Sequence, residues 1–364
     1  MVQTQLHSIQ HISGFRPGEY VEGPDWIKLN TNENPFAPSP RVLDALRDFI
    51  GSQGDSLRRY PQPWSPKLTH ALAGLQGLKP EQVVVSNGTQ ELLEAVFRVV
   101  VPPGAGVAFH EPGYGLYQAL TLLHGAVPKP VLLSSDQPQL DVDAWVKTGA
   151  HVCVLSCPHS PTGVRFELEA IRSLLEHFTG YVVVDEAYVL FGKTTALSLL
   201  AEYPRLIITR TFSKSHQMAG IRVAYALANA ELIEQMRKCV DPYAVDRLAE
   251  VTALAALDDA GYIDAKIAEI VELRDRVYKQ LLALGWKTFR SEGNFLFTQP
   301  RKVSGTVGRE AAYSLYEFLM SKQILVRHLD DAWACSYIRF GIGCEQTMDK
   351  VFDAIKLWAT LAQP

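Results

Sequence analysis

Four short stretches of this 364-residue chain carry residue types that could do chemistry, each just behind a run that reads as a buried strand. Lys214 closes Thr211-Phe212-Ser213-Lys214, after Leu206-Ile207-Ile208. An amine held at a strand end and shielded from water has its pKa lowered, so it can attack a carbonyl as a Schiff-base nucleophile and later shuttle protons. A lone lysine is more often surface charge. Asp185 ends Tyr181-Val182-Val183-Val184, with Tyr188 shortly after. A carboxylate carried inside needs a partner, because an unpaired buried charge is costly. A protonated pyridine nitrogen is one such partner; a helix cap or a metal is another. Ser86-Asn87-Gly88-Thr89-Gln90 follows Val83-Val84-Val85 and opens a helical pattern. Its free N–H groups and helix dipole suit an anion, although a simple cap has the same look. Arg222, within Ala219-Gly220-Ile221-Arg222, has a guanidinium that could grip a phosphate with two parallel bonds. Acid, lysine and arginine in that order supply the contacts a phosphorylated pyridine cofactor needs.

These residues act together only if a scaffold gathers the strand ends. The runs named above, with Val107-Ala108-Phe109 and Val152-Cys153-Val154-Leu155, are short, apolar and bounded by turn residues, as strands buried on both faces are. Helical patterns over Gln90–Val100, Tyr117–His124 and Glu167–His177 lie between several of them. Such alternation predicts an α/β fold, a mostly parallel sheet with helices on both faces and ligands at the carboxyl ends of its strands. A long helical stretch from about 230 to 284, broken near Asp241-Pro242 and near Gly261, interrupts the alternation. Asn294-Phe295-Leu296-Phe297, Ile324-Leu325-Val326 and Tyr337-Ile338-Arg339-Phe340 then suggest a smaller α+β unit. The expected organisation is an N-terminal arm over 1–28, a large domain over 29–250 and a small domain over 251–364. No internal repeat or low-complexity tract is visible.

Composition sets the outer bounds. Hydrophobic residues make up 47%, charged residues 20%, and the formal net charge is −4, an ordinary soluble balance. At this length two domains are expected. No basic stripe exists to neutralise a nucleic-acid backbone, which argues against that partner. No apolar run approaches the roughly 20 residues that cross a bilayer, and Met1–Gln10 lacks the apolar centre of a signal peptide. Cys153, Cys157, Cys239, Cys335 and Cys344 are odd in number and form no CxxC pair. They read as buried thiols in a reducing, cytoplasmic compartment, with no disulfide framework and no metal site.

Asn30 to Pro35 with Ser39-Pro40 after it, Arg59-Tyr60-Pro61, Val183-Val184-Asp185-Glu186-Ala187-Tyr188 and Thr211-Phe212-Ser213-Lys214 occur in this order. In them the chain resembles, nearly end to end, the aspartate-aminotransferase superfamily of pyridoxal-phosphate enzymes, and within it most of all the histidinol-phosphate aminotransferases. The resemblance implies a large domain with a mixed seven-stranded sheet flanked by helices, and a smaller α+β domain. It implies pyridoxal 5′-phosphate bound to Lys214, with Asp185 on the pyridine nitrogen and Tyr188 on the ring's phenolic oxygen. Gly88, Thr89, Ser213 and Arg222 would hold the phosphate, with Thr211 as a further candidate, and Tyr114 would stack on the ring. Tyr60 resembles a tyrosine that reaches the phosphate from a second subunit, which implies a homodimer. Arg339 and Arg327 resemble arginines that grip the substrate's carboxylate or phosphate, joined by Tyr20 and Asn34. Two departures stand out. Cys157-Pro158-His159-Ser160-Pro161-Thr162-Gly163 has Ser160 where the family has an asparagine on the ring oxygen; the shorter side chain leaves that contact to Tyr188, a water or His159. Ser215-His216-Gln217-Met218 replaces the small and apolar residues usual after the lysine.

The activity implied is transfer of an amino group from a small-molecule donor to a 2-oxo acid, with Lys214 withdrawing the Cα proton. Histidinol phosphate and 2-oxoglutarate are the first expected pair. Aromatic or other amino-acid transamination and threonine-phosphate decarboxylation are neighbouring readings. A cofactor-sensing regulator would carry an appended DNA-binding segment; here the family blocks begin near residue 30 and no basic patch is present.

Overall fold

A computed structural model describes residue 12 and residues 14–192 and 194–361. In chain order it forms β1 (Ile27–Lys28), α1 (Pro40–Gln53), α2 (Pro66–Gln76), β2 (Val83–Asn87), α3 (Gly88–Val100), β3 (Gly106–Glu111), α4 (Gly115–Leu123), β4 (Val127–Leu132), α5 (Val142–Lys147), β5 (Val152–Ser156), α6 (Leu168–His177) and β6 (Tyr181–Asp185). Next come β7 (Leu206–Thr211), the single turn α7 (Phe212–Ser215), β8 (Val223–Ala228), α8 (Ala230–Arg237), α9 (Arg247–Leu257) and α10 (Ala260–Ala283). The chain ends with β9 (Lys287–Thr288), β10 (Phe295–Gln299), α11 (Arg309–Ser321), β11 (Ile324–Leu325), β12 (Arg327–His328), β13 (Ile338–Gly341) and α12 (Glu345–Thr360).

Seven strands form one sheet in the order β2-β8-β7-β6-β5-β3-β4, in which β8 alone runs antiparallel to its neighbours. Its strands are apolar on both sides because both faces are covered. Val83, Val85, Cys153, Leu155, Val182, Val184, Leu206 and Ile208 point into one core. The intervening Val84, Val152, Val154, Val183 and Ile207 point into the other. The smaller sheet, β12-β13-β10-β9, is antiparallel and shares a core with α10, α11 and α12. Among the described residues no helix is long and apolar enough to cross a membrane.

The domain seams differ from expectation at both ends. Val245, Ala249, Ala253 and Ala256 lie in the large-domain core, so that unit runs past residue 250 to the end of α9. Leu29 packs in the small-domain core, and β1 pairs in parallel with β11. The chain therefore enters the small domain before it builds the large one. Gly261 lies inside α10; the break falls at Asp258-Asp259 instead. At the second helical position Gly261 has no intrahelical N–H bond to lose, so it costs little there. Of the five free thiols, Cys153 and Cys157 are buried while Cys239, Cys335 and Cys344 are only half-buried, which corrects the expectation that all five are interior. Of the expected arm, residues 1–11 and 13 lie outside the described residues.

Candidate active site

Register places the decisive residues along one edge of the large sheet. Asp185 pairs with Ser156 on one side and Thr209 on the other, while Thr211 faces Ala224 and Asn87 faces Val223. The carboxyl ends of β2, β5, β6 and β7 thus open on the same side.

Asp185 is buried. Its Oδ2 accepts from the Tyr117 hydroxyl at 2.8 Å, and its Oδ1 accepts from Thr209 Oγ1 and the Ala187 N–H, both at 3.2 Å. Burial pushes the carboxyl pKa up and these three donors pull it back down. No cation among the described residues pairs with it, so the site holds a carboxylate that calls for a cationic partner. Glu186, next along the strand, points to the other face and is spent on Arg210 at 2.8 Å, Thr195 and the Ala196 N–H. The two adjacent acids therefore have separate roles.

Lys214 sits on α7, a turn capped by Thr211, whose hydroxyl accepts from the Ser213 N–H at 3.1 Å. Its Nζ donates to the Thr31 carbonyl at 2.6 Å and lies 5.9 Å from the centre of the Tyr188 ring. Burial lowers the amine's pKa; the Tyr188 oxygen and Glu33 oppose that, while Arg339 and Lys28 add to it. Asn32 donates to the Tyr188 hydroxyl oxygen at 3.0 Å, which leaves the tyrosine's own proton to point elsewhere, toward a phenolate for example.

The Arg222 guanidinium lies against the start of α3. Gly88 takes φ +81°, and a Cβ there would collide with the Arg222 guanidinium. Arg222 is itself held at φ +64°, a conformation L-residues rarely adopt, with Nη1 donating to the Ala219 carbonyl at 3.2 Å. Gly88 and Thr89 open α3, whose first N–H groups have no intrahelical partner, and Ser213 Oγ accepts from Thr211 Oγ1 at the end of β7. Thr211 is otherwise occupied: its hydroxyl caps α7 and bonds Ser213 Oγ at 3.0 Å and the Val223 carbonyl at 3.3 Å. Tyr114 packs edge-on against Tyr117 at 5.5 Å and Phe15 at 5.4 Å, beside Asp185.

The small domain contributes two guanidiniums. Arg327 and Arg339 are directly opposed on β12 and β13, so their side chains leave the same face. Arg339 donates from Nη1 to Ser160 Oγ at 3.2 Å and from Nη2 to the Asn30 carbonyl at 2.8 Å. Its pKa is lowered by burial first and by Arg327 as well. Two cations held so close favour an anion between or above them. Gly18 presses on this region, since a Cβ there would come within 2.8 Å of Thr31 Cγ2, and the Glu19 carbonyl accepts from Asn30 Nδ2 at 2.8 Å. Tyr20 is 76% exposed and points to solvent. Asn34 braces the lysine, donating to the Lys214 carbonyl at 2.9 Å while its Oδ1 accepts from the Phe36 N–H. Tyr60, at 77% exposure, stacks on Tyr243 at 4.7 Å, outside its own chain's site. His159 is buried with Nδ1 2.8 Å from Thr162 Oγ1, and burial takes its pKa down to about 3.

Pyridoxal 5′-phosphate fits these residues. The buried, cation-free Asp185 matches a protonated ring nitrogen, Arg222 packed against Gly88 at the start of α3 matches the phosphate, and the buried Lys214 amine matches the aldehyde. Sequence reasoning missed Tyr117, Asn32 and Thr209. Asn32 lay inside the N-terminal block that carried the resemblance, and no local pattern marked the other two.

Residues 24–355 match the family model of aminotransferase class I and II. The chain belongs to that family. This aminotransferase therefore depends on pyridoxal phosphate and has the aspartate-aminotransferase fold. It is 35% identical over 349 residues to a histidinol-phosphate aminotransferase of Geotalea daltonii, covering 96% of this chain and 97% of the relative. A second such relative, from Thiobacillus denitrificans, is 35% identical over 95% of both chains. Among solved structures the aminotransferase resembles histidinol-phosphate aminotransferase from Sinorhizobium meliloti in complex with pyridoxal-5′-phosphate. That likeness has a TM-score of 0.84 at 26% identity and covers 92% of this chain and 90% of the other. An aspartate aminotransferase from Thermus thermophilus shares the fold at a TM-score of 0.78 and 21% identity, covering 92% and 95%.

Proposed function

We propose that this aminotransferase moves an amino group between histidinol phosphate and 2-oxoglutarate, with Lys214 as the catalytic residue. The observation that carries this reading is the opposed pair Arg327 and Arg339 at the lysine's side of the site. A phosphate dianion satisfies two adjacent guanidiniums better than a single carboxylate does. The near-full-length relatives named above act on that substrate by name.

When bound, pyridoxal phosphate supplies an aldehyde to carry the amino group and a cationic ring that accepts the electron pair left at Cα. Asp185 keeps the ring nitrogen protonated, and Tyr117 and Thr209 hold Asp185 in place. Lys214, its pKa lowered by burial, would be the base that takes the Cα proton and gives it back on the far side of the amino nitrogen. Tyr188, whose hydroxyl oxygen accepts from Asn32, would hold the ring oxygen with its own proton, while Ser160 accepts from Arg339. Gly88, Thr89, Ser213 and Arg222 fix the phosphate.

The second subunit belongs to this reading as well. Tyr60 is exposed, as are Ile50, Leu57 and Trp64 nearby in the chain, which supports a homodimer in which Tyr60 reaches the partner's cofactor phosphate. Five unpaired thiols suit a reducing cytoplasm.

Single-turnover half-reactions of the holoenzyme with histidinol phosphate, phenylalanine, aspartate and phosphothreonine test the substrate. Histidinol phosphate should react fastest, by at least tenfold, and Arg327→Gln should weaken its binding more than that of phenylalanine. Carbon dioxide release from phosphothreonine, or equal rates with phenylalanine, would sink the assignment.

A further inference from the structure

Between Lys28 and Asn34 the chain holds the reactive lysine at both of its ends. Thr31 offers its carbonyl to Lys214 Nζ at 2.6 Å, and Asn34 donates to the Lys214 carbonyl at 2.9 Å. Thr31 is itself gripped, because Lys28 Nζ donates to Thr31 Oγ1 at 2.7 Å and to Glu33 Oε1 at 2.7 Å. Lys28 ends β1, which is paired to β11 of the small domain, and the Leu29 N–H continues that pairing to the Leu325 carbonyl at 2.8 Å. The ion pair thus hangs from one domain and the amine from the other.

We propose that Lys28 and Glu33 are positioning residues for Lys214: together they fix the Thr31 carbonyl as the resting place of Nζ and set one cation against one anion beside it, so that neither charge decides the amine's protonation. The proposal rests on Lys214 being the cofactor lysine and is independent of the substrate. The charged and titratable groups facing the amine are Lys28 and Glu33 from this loop, Tyr188 after β6 and Arg339 from β13. The Lys28 and Glu33 side chains are 21% and 46% exposed. Such a pair adds little to folding stability, so its loss should read out at the amine.

Capture of an aldehyde by the apoprotein reports that protonation. The ammonium first gives its proton to solvent. The neutral amine then attacks the carbonyl carbon, forms a C=N bond and releases one water. Apoprotein is mixed with pyridoxal phosphate across a range of pH, and the growth of the visible absorbance gives a rate and its pH midpoint. Lys28→Met leaves Glu33 unpaired beside the amine and should move the midpoint up. Glu33→Gln leaves Lys28 unpaired and should move it down. Each shift should be about half a pH unit, as expected for one charge several ångströms away in well-solvated surroundings. The double variant should return to the wild-type midpoint but capture the aldehyde at a different plateau rate, because the Thr31 carbonyl is no longer held, while Lys28→Arg and Glu33→Asp, which keep the charges, should keep the midpoint and control for disturbed folding. Midpoints that stay put in both single variants, or move in the same direction, overturn the proposal. Wild-type apoprotein that captures no aldehyde, like Lys214→Ala, would instead overturn the lysine's assignment and the proposal with it.

Discussion

Asp185 and Glu186 differ by one position and by everything around them. Glu186 has a guanidinium at 2.8 Å; Asp185 has three neutral donors and no cation. The charge on Asp185 is therefore stabilised fully only when a cation arrives. Asp185→Asn keeps the shape and removes the charge. It should slow the half-reaction by roughly 10²–10³, the usual cost of removing one preorganised electrostatic contact, measured in single turnovers. Tyr117→Phe deletes the 2.8 Å bond to Oδ2. Hydrogen bonds to charged groups contribute about 1.5–3 kcal/mol, so the dissociation constant for pyridoxal phosphate should rise at least tenfold in a titration of the apoprotein. Asp185 was legible because it ends an apolar run, and Lys214 because its block, Thr211-Phe212-Ser213-Lys214, follows one and carries the resemblance. Tyr117 was not, because its partner is 68 positions away, and sequence spacing carries no sign of that contact.

At the scale of elements, β4 and β8 escaped the sequence pattern for different reasons. β8, Val223–Ala228, is half alanine, which favours helix as much as strand. β4, Val127–Leu132, contains Pro128 and Pro130, which argue against a central strand. It lies at the sheet edge, where prolines are tolerated. The N–H groups of Val127 and Leu133 bond inward to Ala105 and Glu111, so the even positions face outward and lose no ladder bond to proline. Those prolines deny donors to a further strand. Replacing both with threonine should leave the fold intact and promote concentration-dependent association, seen by light scattering; a variant as monodisperse as the parent would count against this role.

For the whole molecule, neutral histidines, His110 and His159 buried and His216 half-buried, set the acid limit. Burial lowers His159 to about 3 and His216 to about 4, and holds His110 well below its ordinary value. In the unfolded chain all three titrate near 6.5. Between that value and the lowered ones, the unfolded state binds protons that the native state refuses. Stability is thus complete above about pH 6.5 and falls as pH drops, by about 1.4 kcal/mol for each unit a histidine is lowered. Melting temperature should decline from pH 7 to pH 5, and His159→Gln should flatten that decline. The proposed dimer has its own test. Lys214→Ala and Tyr60→Ala proteins, each weak alone, should regain activity when refolded together, since a mixed dimer holds one site with Lys214 from one chain and Tyr60 from the other. No recovery would mean that Tyr60 serves no partner site.

The sequence alone determined which strands are buried on both faces and which residues end them, because β-branched runs and turn residues are local signals. It therefore pointed to a mostly parallel sheet and offered Lys214, Asp185 and Arg222 as candidates. Only the tertiary structure decided what surrounds them. It put Thr31 on the amine, Asn32 on Tyr188, Tyr117 on Asp185 and Ser160 on Arg339. It also moved Leu29 into the core of the distant domain. Each of these is a contact between segments far apart in the chain, and so beyond any pattern a stretch of neighbouring residues can display.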